Sequence, residues 1–157
     1  MERKSESTKG GGDMALEWIT PKTDWKSTDK FNIVDYNRIK NNLLYLQWLA
    51  NELHPPEIEA NLGDDKTSYT DFFYADEFNA IEEQLDSING QALELDIGSR
   101  QTFYDNGIFI GFRELNRIES AELKLYDLLT NQHDGRRMLT FLLGMTEVLN
   151  GMGIITN

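Results

Sequence analysis

Residues 22–39 read KTDWKSTDKFNIVDYNRI, and two later stretches, KTSYTDFFYADEFNAI at 66–81 and QTFYDNGIFIGFRELNRI at 101–118, follow the same order. Each opens on Thr with an aromatic two positions on: Thr23 and Trp25, Thr67 and Tyr69, Thr102 and Tyr104. Each closes on Asn-x-Ile, as Asn37 and Ile39, Asn79 and Ile81, Asn116 and Ile118. An apolar residue stands six positions before the Asn (Phe31, Phe73, Ile110) and an acid two positions before it (Asp35, Glu77, Glu114). A repeat of this size is one supersecondary unit used several times, so it sets the architecture before any single element is assigned. The order predicts an extended preamble carrying the aromatic, then a helix start. There the acid meets the positive end of the helix dipole and its free N–H groups. In the first copy Asn32 and Asp35 resemble a capping pair.

Working outward, Tyr36, Ile39, Leu43, Leu46, Leu49 and Leu53 recur at gaps of three and four, the mark of one helix face. The spacing predicts a helix over 33–52, stopped by Pro55-Pro56. Phe78, Ile81, Leu85 and Ile88 predict a second helix over 75–89, ending at Asn89-Gly90. Leu115, Ile118, Leu123, Leu125, Leu128 and Leu129 predict a third, ending near Asn131. A fourth, over 136–150, carries Leu139, Leu142, Leu143, Val148 and Leu149 without the preamble. The alternation in Leu93 to Ile97, with the Asn106-Gly107 turn signal inside Phe103 to Phe109, leaves room for one short β-hairpin. The repeat favours reading residues 101–111 as the loop before the third helix.

The expected fold is therefore mainly α: a small bundle of about four helices built from three loop-helix repeats, at 20–62, 63–97 and 98–134, with a final helix at 136–150. It forms a single domain over 14–157. Residues 1–13, MERKSESTKGGGD, carry no apolar residue after Met1, so they are expected to be disordered. Lys9-Gly10-Gly11 before Met14 also reads as a translated ribosome-binding site, which would make Met14 the true start. The intact mass of protein from the native gene decides this, and a mass counted from Met1 sinks the idea.

A hydrophobic content of 39%, with eight Phe, six Tyr and three Trp in 157 residues, is enough for one packed core. The net charge of −12 opposes binding to a phosphate backbone or an anionic membrane, so neither nucleic acid nor membrane is an expected partner. The absence of cysteine removes disulfides, thiolate metal sites and a cysteine nucleophile. No apolar run reaches the length of a membrane span, and the first dozen residues lack a secretory apolar stretch, so synthesis in a cytoplasm is expected.

Few residues point to chemistry. His54 and His133 stand far apart, with no second ligand at metal spacing, and are expected at exposed helix ends. Asp64, Asp65 and Asp71 do not fit the spacing of a calcium loop and read as solvated acids. The glycines of Gly151-Met152-Gly153 follow a helix instead of opening one, so they cradle no phosphate. No catalytic residue, metal site or cofactor is expected. The repeated Asn is assigned a structural part: its amide donates and accepts at once, holding the preceding extended segment against the helix. Arg38 and Arg117 are expected to pair with neighbouring acids. Trp18, Trp25 and Trp48, with Ile154 and Ile155 near the C-terminus, are candidates for an interface, and packing of the preamble onto the bundle explains Trp25 at least as well.

The run Trp18-Ile19-Thr20-Pro21-Lys22-Thr23-Asp24-Trp25, then Asp29, Phe31-Asn32, Asp35-Tyr36-Asn37-Arg38-Ile39 and Asn42, resembles a motif in short phage and prophage proteins of Gram-positive hosts, from the tail or baseplate module. Glu114-Leu115-Asn116-Arg117-Ile118-Glu119 is similar. The resemblance covers about half the chain and brings no catalytic residues. It implies a non-enzymatic virion component of a tail or baseplate, present in several copies or as a homo-oligomer, bridging tail-tip and tail-fibre proteins. The alternatives are a host-glycan or receptor-binding module and a non-virion assembly factor or regulator that binds a basic partner. Aromatics grouped with Asp or Asn in one groove would mark the first, and a monomer absent from particles the second.

Overall fold

A computed structural model describes residues 16–92 and 94–151, with side chains as far as Met145. The head at 1–13, Met14, Leu93, and the interface candidates Ile154 and Ile155 lie outside the described residues. Among the described residues there are three helices: α1 (Ile33–Leu53), α2 (Ala75–Gln91) and α3 (Phe112–Gly151). Every pair of them packs together, and extended loops join them.

The helix starts are set locally. Asn32 accepts the N–H of Val34 at 2.8 Å while Asp35 accepts the N–H of Asn32 at 3.1 Å, so two otherwise unpaired donors of α1 are satisfied reciprocally. At α2, Glu77 takes the N–H of Tyr74 at 2.9 Å. The predicted apolar stripes face inward: Tyr36, Ile39, Leu43, Leu46, Leu49 and Leu53 of α1, Phe78, Ile81, Leu85 and Ile88 of α2, and Leu115, Ile118, Leu125 and Leu129 of α3 are all buried. Each such side chain adds roughly 1.5–3 kcal/mol of transfer free energy. Leu123, counted above as a core position, is exposed instead.

Two expectations are corrected. The third and fourth helices are one, since α3 runs unbroken from Phe112 to Gly151. The sequence between them, Gln132-His133-Asp134-Gly135, contains one glycine and no proline, and a helical glycine costs only about 1 kcal/mol. Tertiary contacts hold the helix through this stretch: Gln132 meets His54 Nε2 at 3.0 Å, and Arg136 donates to the terminal carbonyls of α1 at Glu52 and Leu53. His133 therefore sits inside a helix and not at an end. The hairpin is also absent, because no strand occurs among the described residues. The turn itself forms, with Gly107 N–H on the carbonyl of Tyr104 at 2.9 Å and Asn106 at a φ of 59°. Its flanks do not pair, since the backbone of Phe103 is engaged by a side chain of α2. Leu95, in the other candidate strand, is held the same way by Asn89.

Candidate functional site

The Asn of each Asn-x-Ile triplet makes two hydrogen bonds to the backbone of a single residue. Asn37 on α1 accepts the N–H of Lys66 at 2.9 Å and donates to its carbonyl at 2.8 Å. Asn79 on α2 does this to Phe103, at 2.8 and 2.9 Å. Asn116 on α3 does it to Trp25, at 2.7 and 3.0 Å. A carboxamide presents one acceptor and one donor side by side, so it pairs with an extended residue as a neighbouring strand would. The target differs from the one expected. Each Asn holds the segment that leads into the next helix in the sequence, not the one before its own, and α3 closes the cycle by holding the segment before α1.

The residue three positions after each Asn strengthens the same contact. Glu119 is fully buried and accepts the backbone N–H of Lys22 at 2.6 Å and the indole N–H of Trp25 at 2.8 Å. It also accepts two bonds from Arg38 of α1, at 2.8 and 3.0 Å. Glu82 stands equivalently on α2, taking the N–H of Gln101 at 3.4 Å and a contact from Arg117 of α3. On α1 the position is Lys40, equally buried, and it donates to the carbonyl of Gly63 at 2.9 Å and pairs with Asp65. Arg38 and Arg117 each bond back to their own helix start, at Asp35 and Glu114. Asn42 and Asn51 repeat the two-bond hold on Ile19 and Ile58.

Where the three segments meet, Phe31, Phe73 and Phe109 touch pairwise with ring centroids 5.2, 6.0 and 6.2 Å apart, over Phe78. Beside this cluster lies a cleft of about 410 Å3 between the start of α2 and the loop at 103–110. Tyr74, Tyr104, Asp105, Asn106 and Phe109 line it, and Ile108 at its edge is 96% exposed. The aligned aromatics part company here: Tyr69 and Tyr104 are exposed, while Trp25 is 4% exposed.

Trp25 is therefore excluded as a free interface residue, because its ring is in the core and its indole N–H is on Glu119. Trp18 is half-buried, stacked on Tyr126 of its own chain at 4.1 Å. Trp48 is 45% exposed. Asp71 accepts the N–H groups of Thr67 and Ser68, both at 2.9 Å, and Asp65 answers Lys40, so two of the three loop acids serve the loop itself. Among the described residues no cluster of three His, Asp or Glu is placed to hold a metal ion, and no helix is long and apolar enough to cross a membrane.

One buried group had no counterpart in the sequence reading. Glu122, one turn beyond Glu119, is fully buried; its Oε2 accepts from the Asn42 amide at 3.4 Å and its Oε1 has no hydrogen-bond partner among the described residues. Burial, and then the neighbouring Glu119, holds its carboxyl well above the usual range. The far part of α3 departs from the fourth bundle helix expected there: Leu139, Leu142 and Leu143, with Met138, Phe141 and Met145, are exposed and do not join the core. The signal for the buried ions was present, since a charged residue directly follows each core Ile at Lys40, Glu82 and Glu119. No family model, no curated protein and no solved structure matches the chain.

Proposed function

We propose that the chain is a non-enzymatic structural adaptor, built from three loop-helix units, that joins other proteins in a larger assembly of the phage tail or baseplate kind. The observation that carries this reading is the use to which the buried polar residues are put. Asn37, Asn79, Asn116, Lys40, Glu82 and Glu119 all hold the chain's own loops. The large exposed apolar surface lies elsewhere, on the loop end and on the far part of α3. Rigid loops with apolar surface at two ends suit a part that touches two neighbours. The motif around Trp18 to Asn42 supplies the kind of assembly. Mass spectrometry of purified particles from an induced host tests this. A fixed low ratio to the major tail protein is expected, and absence from intact particles would move the protein to an assembly factor or regulator.

A second reading rests on the cleft. Tyr74, Tyr104 and Phe109 stand with Asp105 and Asn106 in one groove, the grouping expected for stacking and hydrogen bonding to a sugar. Titration with host cell-wall saccharides, watched by tyrosine fluorescence, tests it. Binding that is lost in Tyr104→Ala supports the glycan reading, and no binding at millimolar sugar removes it.

A further inference from the structure

We propose that the outer face of α1, centred on Trp48, is a site for an arginine side chain presented by a partner protein. This goes beyond the adaptor reading, because it assigns a ligand to a surface that reading does not use, and it holds whichever assembly the chain serves. Leu44, Trp48 and Glu52 follow one another at intervals of four on α1, so they form one row along the helix. The buried stripe of Leu43, Leu46, Leu49 and Leu53 takes the opposite side. Leu16, from the segment before α1, and Glu57, from the loop after it, complete a cleft of about 370 Å3 over the row. The indole of Trp48, 45% exposed, is the floor of the cleft, and Tyr45 holds it edge-on with ring centroids 5.6 Å apart.

The lining selects a cation on an apolar stem. Gln47 and Asn51, the two amides of the cleft, both donate to the carbonyl of Ile58, and Asn51 also accepts its N–H, so both are committed to holding the loop. The carboxylates of Glu52 and Glu57 have no ion pair or hydrogen bond among the described residues. No Lys or Arg lines the cleft, and no cation of the described residues stands over the Trp48 ring. Arg136 is turned instead to the backbone carbonyls of Glu52 and Leu53. The row thus runs from an aliphatic side chain through an indole to an acid over about 12 Å. An arginine side chain offers the complement: a methylene stem for Leu44, a planar cation to stack on Trp48, and N–H donors for two carboxylates. Lysine fits less well, since its compact ammonium neither stacks nor meets two carboxylates side by side. The net charge of −12 draws a basic partner towards this face.

The test titrates the full, isotope-labelled chain with the peptide Ac-Gly-Arg-Gly-NH2 and with its lysine and citrulline counterparts, the last keeping the shape of arginine without the charge. The chain has three tryptophans, and Trp48→Phe identifies which indole N–H resonance belongs to Trp48. With the arginine peptide that resonance should move and saturate with a Kd of about 1 mM, while that of buried Trp25 stays in place. The lysine peptide should bind about five-fold more weakly and the citrulline peptide should not saturate. Glu52→Gln with Glu57→Gln changes only exposed side chains, so melting should be unchanged and arginine binding about ten-fold weaker. A Trp48 resonance that does not respond even at ten-fold higher peptide overturns the proposal. So does citrulline binding as well as arginine, or a paired glutamine variant that binds as the wild type does. Nuclear Overhauser contacts in the free chain from Trp48 to Arg3, Lys4 or Lys9 would show the site filled from within, and would overturn a partner's arginine as its occupant.

Discussion

The contact made by Asn116 and Glu119 and the one made by Asn37 and Lys40 hold comparable segments with opposite charges. In the first, a buried acid collects backbone N–H, indole N–H and guanidinium donors, all aimed at one carboxylate. In the second, a buried ammonium faces a carbonyl and the half-exposed carboxylate of Asp65. The Asn hold is the same in both. The carboxamide thus defines the contact, and the residue three positions on is free to be acid or base so long as the loop turns the matching backbone group towards it. The third contact shows the cost of an incomplete match: Glu82 has one carboxylate oxygen without a hydrogen-bond partner among the described residues, and burial raises its pKa against the opposing pull of Arg117.

The largest expected effect is at Glu119. Glu119→Ala leaves the half-buried Arg38 guanidinium and the Trp25 indole facing a cavity, so chemical denaturation should show a loss of about 3–5 kcal/mol. Next is Asn116→Ala, which strands the N–H and carbonyl of Trp25 and should cost about 1–3 kcal/mol. An equal loss in Asn37→Ala would confirm that the carboxamide acts alike at both places, and unequal losses would break the comparison. At Lys40, Lys40→Met keeps the packing of the stem and loses the Gly63 carbonyl and the half-exposed Asp65 carboxylate as partners, about 1–2 kcal/mol. Lys40→Glu turns an acid towards the Gly63 carbonyl and Asp65 and should be clearly worse than Met. If the two variants melt alike, the sign of the buried charge does not matter and the contrast with Glu119 is wrong.

Glu122 sharpens the comparison by pH. Its folded pKa is raised, so the folded state binds its proton more tightly than the unfolded chain, whose value is about 4.3. Its contribution to stability is fully present below that unfolded value and is lost as pH rises towards the folded one, by up to about 1.4 kcal/mol per pH unit. Glu122→Gln should remove that decline, melting higher than wild type at pH 8 and close to it at pH 4. Parallel pH profiles for the two proteins would show that the group is not buried.

Much of the bundle was legible because it is written in local rules. The stripes of α1 and α2, the capping pair Asn32 and Asp35 and the proline stop after His54 each depend on residues within a turn or two of one another. The recurring Asn was legible as a backbone holder for the same reason, since its chemistry allows little else at that spacing. Its target was not legible, because Trp25 and Asn116 are brought together only by closure of the whole chain. Nor was the continuity of α3, whose apolar pattern lapses between Asn131 and Arg136 while the decisive bonds come from Leu53 and His54 at the end of α1. Trp25 stood open in the sequence between core packing and an interface, because an indole serves either, and the buried carboxylate on its N–H places it in the core.

Native-state hydrogen exchange at the amides of Trp25, Lys66 and Phe103 tests the closed ring of holds most directly. All three lie in loops, outside any helix or strand, and each donates its N–H to an Asn side chain. Slow exchange at all three in the wild type, with Asn116→Ala releasing Trp25 and leaving Lys66 and Phe103 protected, is the expected result. Exchange of these amides at the rate of free loops in the wild type would contradict the ring.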